Sequence, residues 1–211
     1  VKEKAQQNTA IAKSAGTVGI AVMCSRVLGL VREQIFAAMF GAGYAYDSFV
    51  VAFRIPNLLR DLFGEGALSA AFVTIFSRYD TNKTQEETWR LASNVLVFFA
   101  ILLSLLTLLG IFMAGPLVSL LAPDFSKIAG KAELTATLTM VMMPFLVFIS
   151  LAAVVMGMLN TKGRFFVPAM ASSFFNLGSI VGGVSMAWLL PRYGYPAIVG
   201  MAIGTLVGGI L

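Results

Sequence analysis

Eight ionisable side chains stand in two otherwise apolar stretches: Arg26, Arg32 and Glu33 in the first, and Asp47, Arg54, Arg60, Asp61 and Glu65 in the second. The arginines define the chemistry these stretches could do. A guanidinium is a rigid planar fork that grips phosphate oxygens two at a time and keeps its charge when partly desolvated. Two of them match the charge of a diphosphate, whereas a single carboxylate ligand needs fewer. Bond-making chemistry has much less to work with. The chain has no histidine, which removes histidine acid–base catalysis and every serine–histidine triad. Its single cysteine, Cys24, has neither a disulfide partner nor the companions of a zinc site. No metal ion or cofactor is expected.

Helical geometry sorts the charges. At about 100° per residue, positions seven apart share a face. Arg26 and Glu33 then form one stripe, and Asp47, Arg54 and Asp61 another. Arg32 and Arg60 lie about 120° away from Arg26 and Arg54 respectively. If the two helices run antiparallel from the turn between them, Glu33 and Arg54 reach similar depth, as do Arg26 and Asp61. Two interhelical ion pairs are therefore expected, Glu33–Arg54 and Arg26–Asp61. This leaves Arg32 and Arg60 without carboxylates, as candidates to face a water-filled cavity and bind an anion. The alternative is that all four arginines are structural or extend to the membrane interface.

The second stretch also carries Pro56, and farther on Gly64-Glu65-Gly66. Proline removes a helix hydrogen bond, and glycine weakens a helix. Pro56, Gly64 and Gly66 are read as helix breaks. Broken helices are tolerated at membrane depth where they are buried in protein or line a cavity, as transporter sites do.

The elements that must position these residues are membrane helices. Hydrophobic residues make up 58% of the 211-residue chain and charged ones 12%, and the mean hydropathy is +0.87. Soluble domains carry about 25% charged residues. The expected fold is all-α, a polytopic bundle with spans at about 11–40, 47–77, 88–120, 133–159, 165–190 and 195–211. The last stays apolar to Leu211, so the chain is expected to stop inside its sixth helix. Turn residues mark the connections: Gly41-Ala42-Gly43, Ala122-Pro123-Asp124, Asn160-Thr161-Lys162-Gly163 and Pro191-Arg192-Tyr193-Gly194.

The formal charge of +5 suits membrane orientation better than nucleic acid, because the basic residues do not cluster. With the N-terminus in the cytoplasm, the inner flanks hold Lys2, Lys4, Lys13, Arg78, Lys83, Arg90, Lys162 and Arg164. The outer flanks then hold Lys127, Lys131 and Arg192, so this orientation is favoured. No cleavable signal peptide is evident. Glycines four apart, Gly178 with Gly182 and Gly200 with Gly204 and Gly208, are expected to let helices approach closely.

Several segments resemble one family. They are Ser25-Arg26-Val27-Leu28-Gly29-Leu30-Val31-Arg32-Glu33, Phe40 to Gly43, Asp47 through Arg54-Ile55-Pro56-Asn57-Leu58-Leu59-Arg60, and Glu65 through Val73. A later one is Leu159 through Phe165, followed by Pro168. The chain resembles the MurJ (MviN) lipid II flippases of the multidrug/oligosaccharidyl-lipid/polysaccharide exporter superfamily. The resemblance implies two helical lobes around a central cavity, this chain supplying the N-terminal six-helix lobe. It implies translocation of lipid II, an undecaprenyl-diphosphate-linked peptidoglycan precursor, across the bacterial inner membrane by alternating access. Arg26, Arg32 and Arg60, with Glu33 where the family often has Asp, are then the substrate-binding positions. Arg54, Asp61 and Asp47 are left as structural charges. The partners are lipid II, membrane lipids and the C-terminal lobe, and without that lobe the chain is expected not to flip lipid.

The alternative on the same fold is a polysaccharide-lipid or multidrug exporter; a cationic drug would require carboxylates rather than arginines in the cavity. A membrane transferase would need a metal-binding acidic motif. Asp80, Glu86 and Glu87 are the nearest candidates, and their polar surroundings mark them as a solvated connector.

Overall fold

The computed structural model describes the backbone of residues 2–63 and 67–211 and the side chains of 16–62 and 70–211. Gly64, Glu65 and Gly66, where the sequence suggests a break, lie outside the described residues. All regular structure among the described residues is helical. The first stretch is one long helix, α1 (Lys2–Phe40). It ends at Gly41, whose φ of +64° is open to a residue without a Cβ. The second holds α2 (Tyr44–Phe63) and α3 (Ala67–Asn82).

α2 runs through Pro56 without interruption, so the expected break there is absent. Proline costs the ladder one bond, the one its missing N–H would make to the carbonyl four residues back. The remaining bonds carry the helix past it, and Pro56 itself is buried.

The third stretch is α4 (Gln85–Phe112) and α5 (Ala114–Leu121), separated at Met113. A reciprocal cap starts α4. The Thr84 hydroxyl accepts from the Glu87 N–H at 3.3 Å, and the Glu87 carboxylate accepts from the Thr84 N–H at 3.2 Å. At about 1.5 Å per residue α4 is about 42 Å long, more than the roughly 30 Å of a bilayer's hydrocarbon core. Phe98, Ile101, Leu105, Leu108 and Phe112 are exposed along it, a surface suited to lipid. The fourth stretch is α6 (Lys131–Met142) and α7 (Phe145–Thr161), interrupted where Pro144 follows Met143. The remaining helices are α8 (Phe166–Leu189) and α9 (Ala197–Ile210). Among the described residues, 85–112, 131–161 and 166–193 are long and apolar enough to cross a membrane, by length and composition.

Packing explains where the open space falls. The closest helix pair is α8 with α9. Glycines make it possible: a Cβ at Gly204 would collide with the Gly183 nitrogen, and one at Gly200 with the Ala187 nitrogen. α1 leans on α8, whereas α2 leans on α6, so α1 and α2 hardly touch despite their short connection. One apolar core joins Phe76, Phe99, Leu103, Leu146 and Val154 around α7. A second joins Phe36, Phe49, Ala52, Leu138, Met142 and Met201. The divergence of α1 from α2 leaves a gap backed by α7, α8 and α9.

Candidate functional site

A cavity of about 260 Å³ occupies that gap. Arg32 enters it from α1, and Asn57 and Arg60 enter it from α2. Phe145, Met156 and Phe175 form much of the opposite, apolar wall. The Arg32 side chain is 18% exposed and the Arg60 side chain 30%. Arg32 lies over the Phe175 ring, with 5.2 Å from its guanidinium carbon to the ring centre, a contact that orients the planar group. Two cations that line one partly desolvated cavity could together hold an anion.

The helical stripes explain which arginines arrive. On α1 the inward side carries Ala21 and Phe36, both buried, with Arg32 part-buried, while Arg26 and Glu33 are exposed. On α2 the buried side carries Phe49, Ala52 and Pro56, and Asn57 and Arg60 flank it. Asp47, Arg54 and Asp61 are all exposed. Arg26 and Arg54 line neither this cavity nor its smaller neighbour.

The expected pairs Glu33–Arg54 and Arg26–Asp61 do not form. Because α1 and α2 diverge, each carboxylate instead meets the arginine preceding it in sequence. Glu33 lies 3.8 Å from Arg32. Asp61 accepts from Arg60 Nη2 at 2.6 Å and from Nε at 3.2 Å. The expectation that Arg32 and Arg60 lack carboxylates is overturned as well. The open chamber beside both of them remains. Asp47 does hold a structural pair, with a partner the helical arithmetic did not reach. Lys131, whose side chain is 7% exposed, donates to it at 2.9 Å and lies 4.2 Å from the centre of the Phe125 ring.

Asn57 is the cavity residue that the charges alone did not indicate. Its Oδ1 is buried without a hydrogen-bond partner among the described residues. A buried amide oxygen left unpaired costs stability, and a ligand's N–H or O–H could satisfy it. The sequence signal was its place one turn before Arg60. Arg32 also borders a second cavity, of about 200 Å³, shared with Phe53. The acidic connector has structural contacts: Asp80 pairs with Lys162 at 3.0 Å, and Glu87 caps α4. Among the described residues, no cluster of three or more His, Cys, Asp or Glu side chains is placed to hold a metal ion.

Fold and site together define an all-α, multi-pass membrane bundle built around a cationic cavity. Comparison with known proteins makes this specific. A family profile described as "Lipid II flippase MurJ" matches residues 36–211. The chain is 38% identical to the probable lipid II flippase MurJ of Vibrio cholerae, over 94% of this chain and 38% of that protein. It is 37% identical to the lipid II flippase MurJ of Burkholderia cenocepacia, over 92% of this chain and 37% of that one. A solved structure, "Lipid II flippase MurJ, inward closed conformation", superimposes with a TM-score of 0.73 at 34% identity, covering 92% of this chain and 39% of the other. The chain belongs to the MurJ lipid II flippase family. It spans less than two-fifths of the length of these relatives.

Proposed function

We propose that this chain forms the N-terminal lobe of a flippase for lipid II, an undecaprenyl-diphosphate-linked precursor, in the bacterial inner membrane. The diphosphate is engaged by Arg32 and Arg60, with Asn57 taking an adjacent donor group. The observation that carries this reading is the convergence of two arginines from different helices on one cavity with an apolar far wall. Phosphates satisfy the guanidinium forks while the polyprenyl tail stays with the membrane lipids. Arg26 faces outward on α1, toward space that the additional length of the relatives could close as a C-terminal lobe. Alternating access then consists of rocking the two lobes about the bound headgroup, so translocation requires both. The distribution of basic residues supports a cytoplasmic N-terminus.

The test is titration of undecaprenyl diphosphate onto the protein in lipid nanodiscs, read by native mass spectrometry. A hydrogen bond to a charged group contributes about 1.5–3 kcal/mol, so Arg32→Ala or Arg60→Ala should weaken binding roughly 10- to 100-fold. Arg60→Lys should restore only part, since the ammonium lacks the fork. Unchanged affinity in both alanine variants, with intact thermal unfolding, would contradict the proposal.

A further inference from the structure

α1 lies against α8 along one stripe: Ala21, Ser25, Gly29, Arg32 and Phe36 are buried or part-buried, at steps of three and four residues. Two contacts fix the register of the pair. Asn176 of α8 donates from Nδ2 to the Ser25 carbonyl at 3.1 Å. Its amide fills the space beside Gly29, where a Cβ would stand 3.4 Å from Nδ2. Seven residues farther along both helices, the Phe36 ring lies on Gly183. The helices therefore run parallel and are locked at two levels. Arg32 stands between those levels. Reaching Phe175, the residue before Asn176, takes its side chain back toward the start of α1, the direction helical side chains favour. The Phe175 ring also packs on Phe145 of α7, ring centres 5.6 Å apart.

Asn176 is 6% exposed. Leucine would pack there as well, and a buried amide costs stability unless it is bonded. The Ser25 carbonyl serves the ladder of α1 with one lone pair and has a second for the amide. Paired helices use a single buried asparagine to fix register at some cost in stability. Register matters here because α1 carries opposite charges side by side. Glu33 follows Arg32, so turning α1 by about 100° would put a carboxylate where the guanidinium stands. We propose that Asn176 is a positioning residue: through the Ser25 carbonyl it holds α1 against α8 so that Arg32 presents its guanidinium to the cavity. Its consequence for binding rests on the diphosphate reading.

Two readouts test it in nanodiscs. The first needs no ligand. The Arg32 side-chain N–H proton, assigned by its loss in Arg32→Lys, should carry the NMR ring-current shift of Phe175, and Phe175→Leu gives its position without the ring. Asn176→Leu should move the signal most of the way to that position. The second is titration of undecaprenyl diphosphate. Asn176→Leu should weaken binding about fivefold in the unmodified background and equally in Arg60→Ala, but no further in Arg32→Ala, because effects that act through one group do not add. Gly29→Val, which crowds the amide from the α1 side, should give the same pattern, and it replaces Asn176→Leu if that variant does not fold. An unchanged shift overturns the proposal whatever the lipid does. So does an equal loss of affinity in all three backgrounds, the mark of a residue that only stabilises the fold. If undecaprenyl diphosphate does not bind the unmodified protein, the diphosphate reading falls, and the shift alone decides whether Asn176 places Arg32.

Discussion

α8 with α9 and α1 with α2 are both helix pairs joined by short glycine-containing connections, and they behave in opposite ways. The first pair closes to backbone contact along Gly183, Gly200 and Gly204. The second parts, each member packing on a different neighbour. The difference lies in the side chains. Glycines let two backbones meet, so dispersion contacts hold the seam without any need for water exclusion. Arginines and phenylalanines on α1 and α2 hold their backbones apart, and charges that cannot enter lipid need the resulting space. The close-packed pair leaves no room between its helices, and the open pair leaves a cavity.

Filling the seam should have the largest effect. A Cβ at Gly204 would strike backbone atoms that cannot rotate away, so Gly204→Ala is expected to destabilise the protein by about 3 kcal/mol or more. Gly19→Ala is the control: nothing lies within 4 Å of its Cβ position, and stability should hold or rise slightly. Thermal unfolding in nanodiscs compares the two, and equal losses would dissolve the contrast between seam and gap.

The tie that holds α2 to α6 comes next. Lys131→Met removes a buried ammonium from Asp47 and from the Phe125 ring. Asp47 is half exposed and can rehydrate, so the loss should be about 1–2 kcal/mol rather than that of a fully buried pair. Lys131→Arg should recover part of it.

Asp61→Asn should do least to the fold, within about 0.5 kcal/mol, because its pair with Arg60 is exposed on the carboxylate side. It should instead sharpen the account of the gap. The carboxylate occupies the Nε–Nη2 edge of Arg60 that a phosphate would use. Its removal should raise affinity for undecaprenyl diphosphate a few-fold, about 1 kcal/mol or less. A fall in affinity would mean that Asp61 orients Arg60 rather than competing for it.

Much of this was legible in the sequence. Composition and apolar runs gave the all-α membrane class, and the glycine spacing gave the α8–α9 seam. Seven-residue arithmetic separated Arg32 and Arg60 from the exposed stripes of Arg26 with Glu33 and of Asp47, Arg54 and Asp61. The pairing of those charges was not legible, because depth along two helices says nothing about whether they diverge. That depends on what each packs against elsewhere, α8 for one and α6 for the other. Lys131 was missed as the partner of Asp47 for the same reason, being 84 residues away in sequence. Pro56 was read as a break because one lost bond is visible in sequence, while the packing that carries a helix past it is not. Asn57 carries no charge, and only the fold shows its amide oxygen to be without a partner among the described residues.

The central claim is that the guanidinium groups of Arg32 and Arg60 share one phosphate-bearing ligand. Solid-state NMR dephasing between ³¹P of bound undecaprenyl diphosphate and ¹⁵N-labelled arginine measures this in a bilayer, with Arg32→Lys and Arg60→Lys variants assigning the signals. Direct hydrogen bonds place phosphorus about 4 Å from guanidinium nitrogen, so each substitution should remove a distinct share of the short-range dephasing. Dephasing that survives both substitutions, carried by Arg26 or Arg54 alone, would contradict the account.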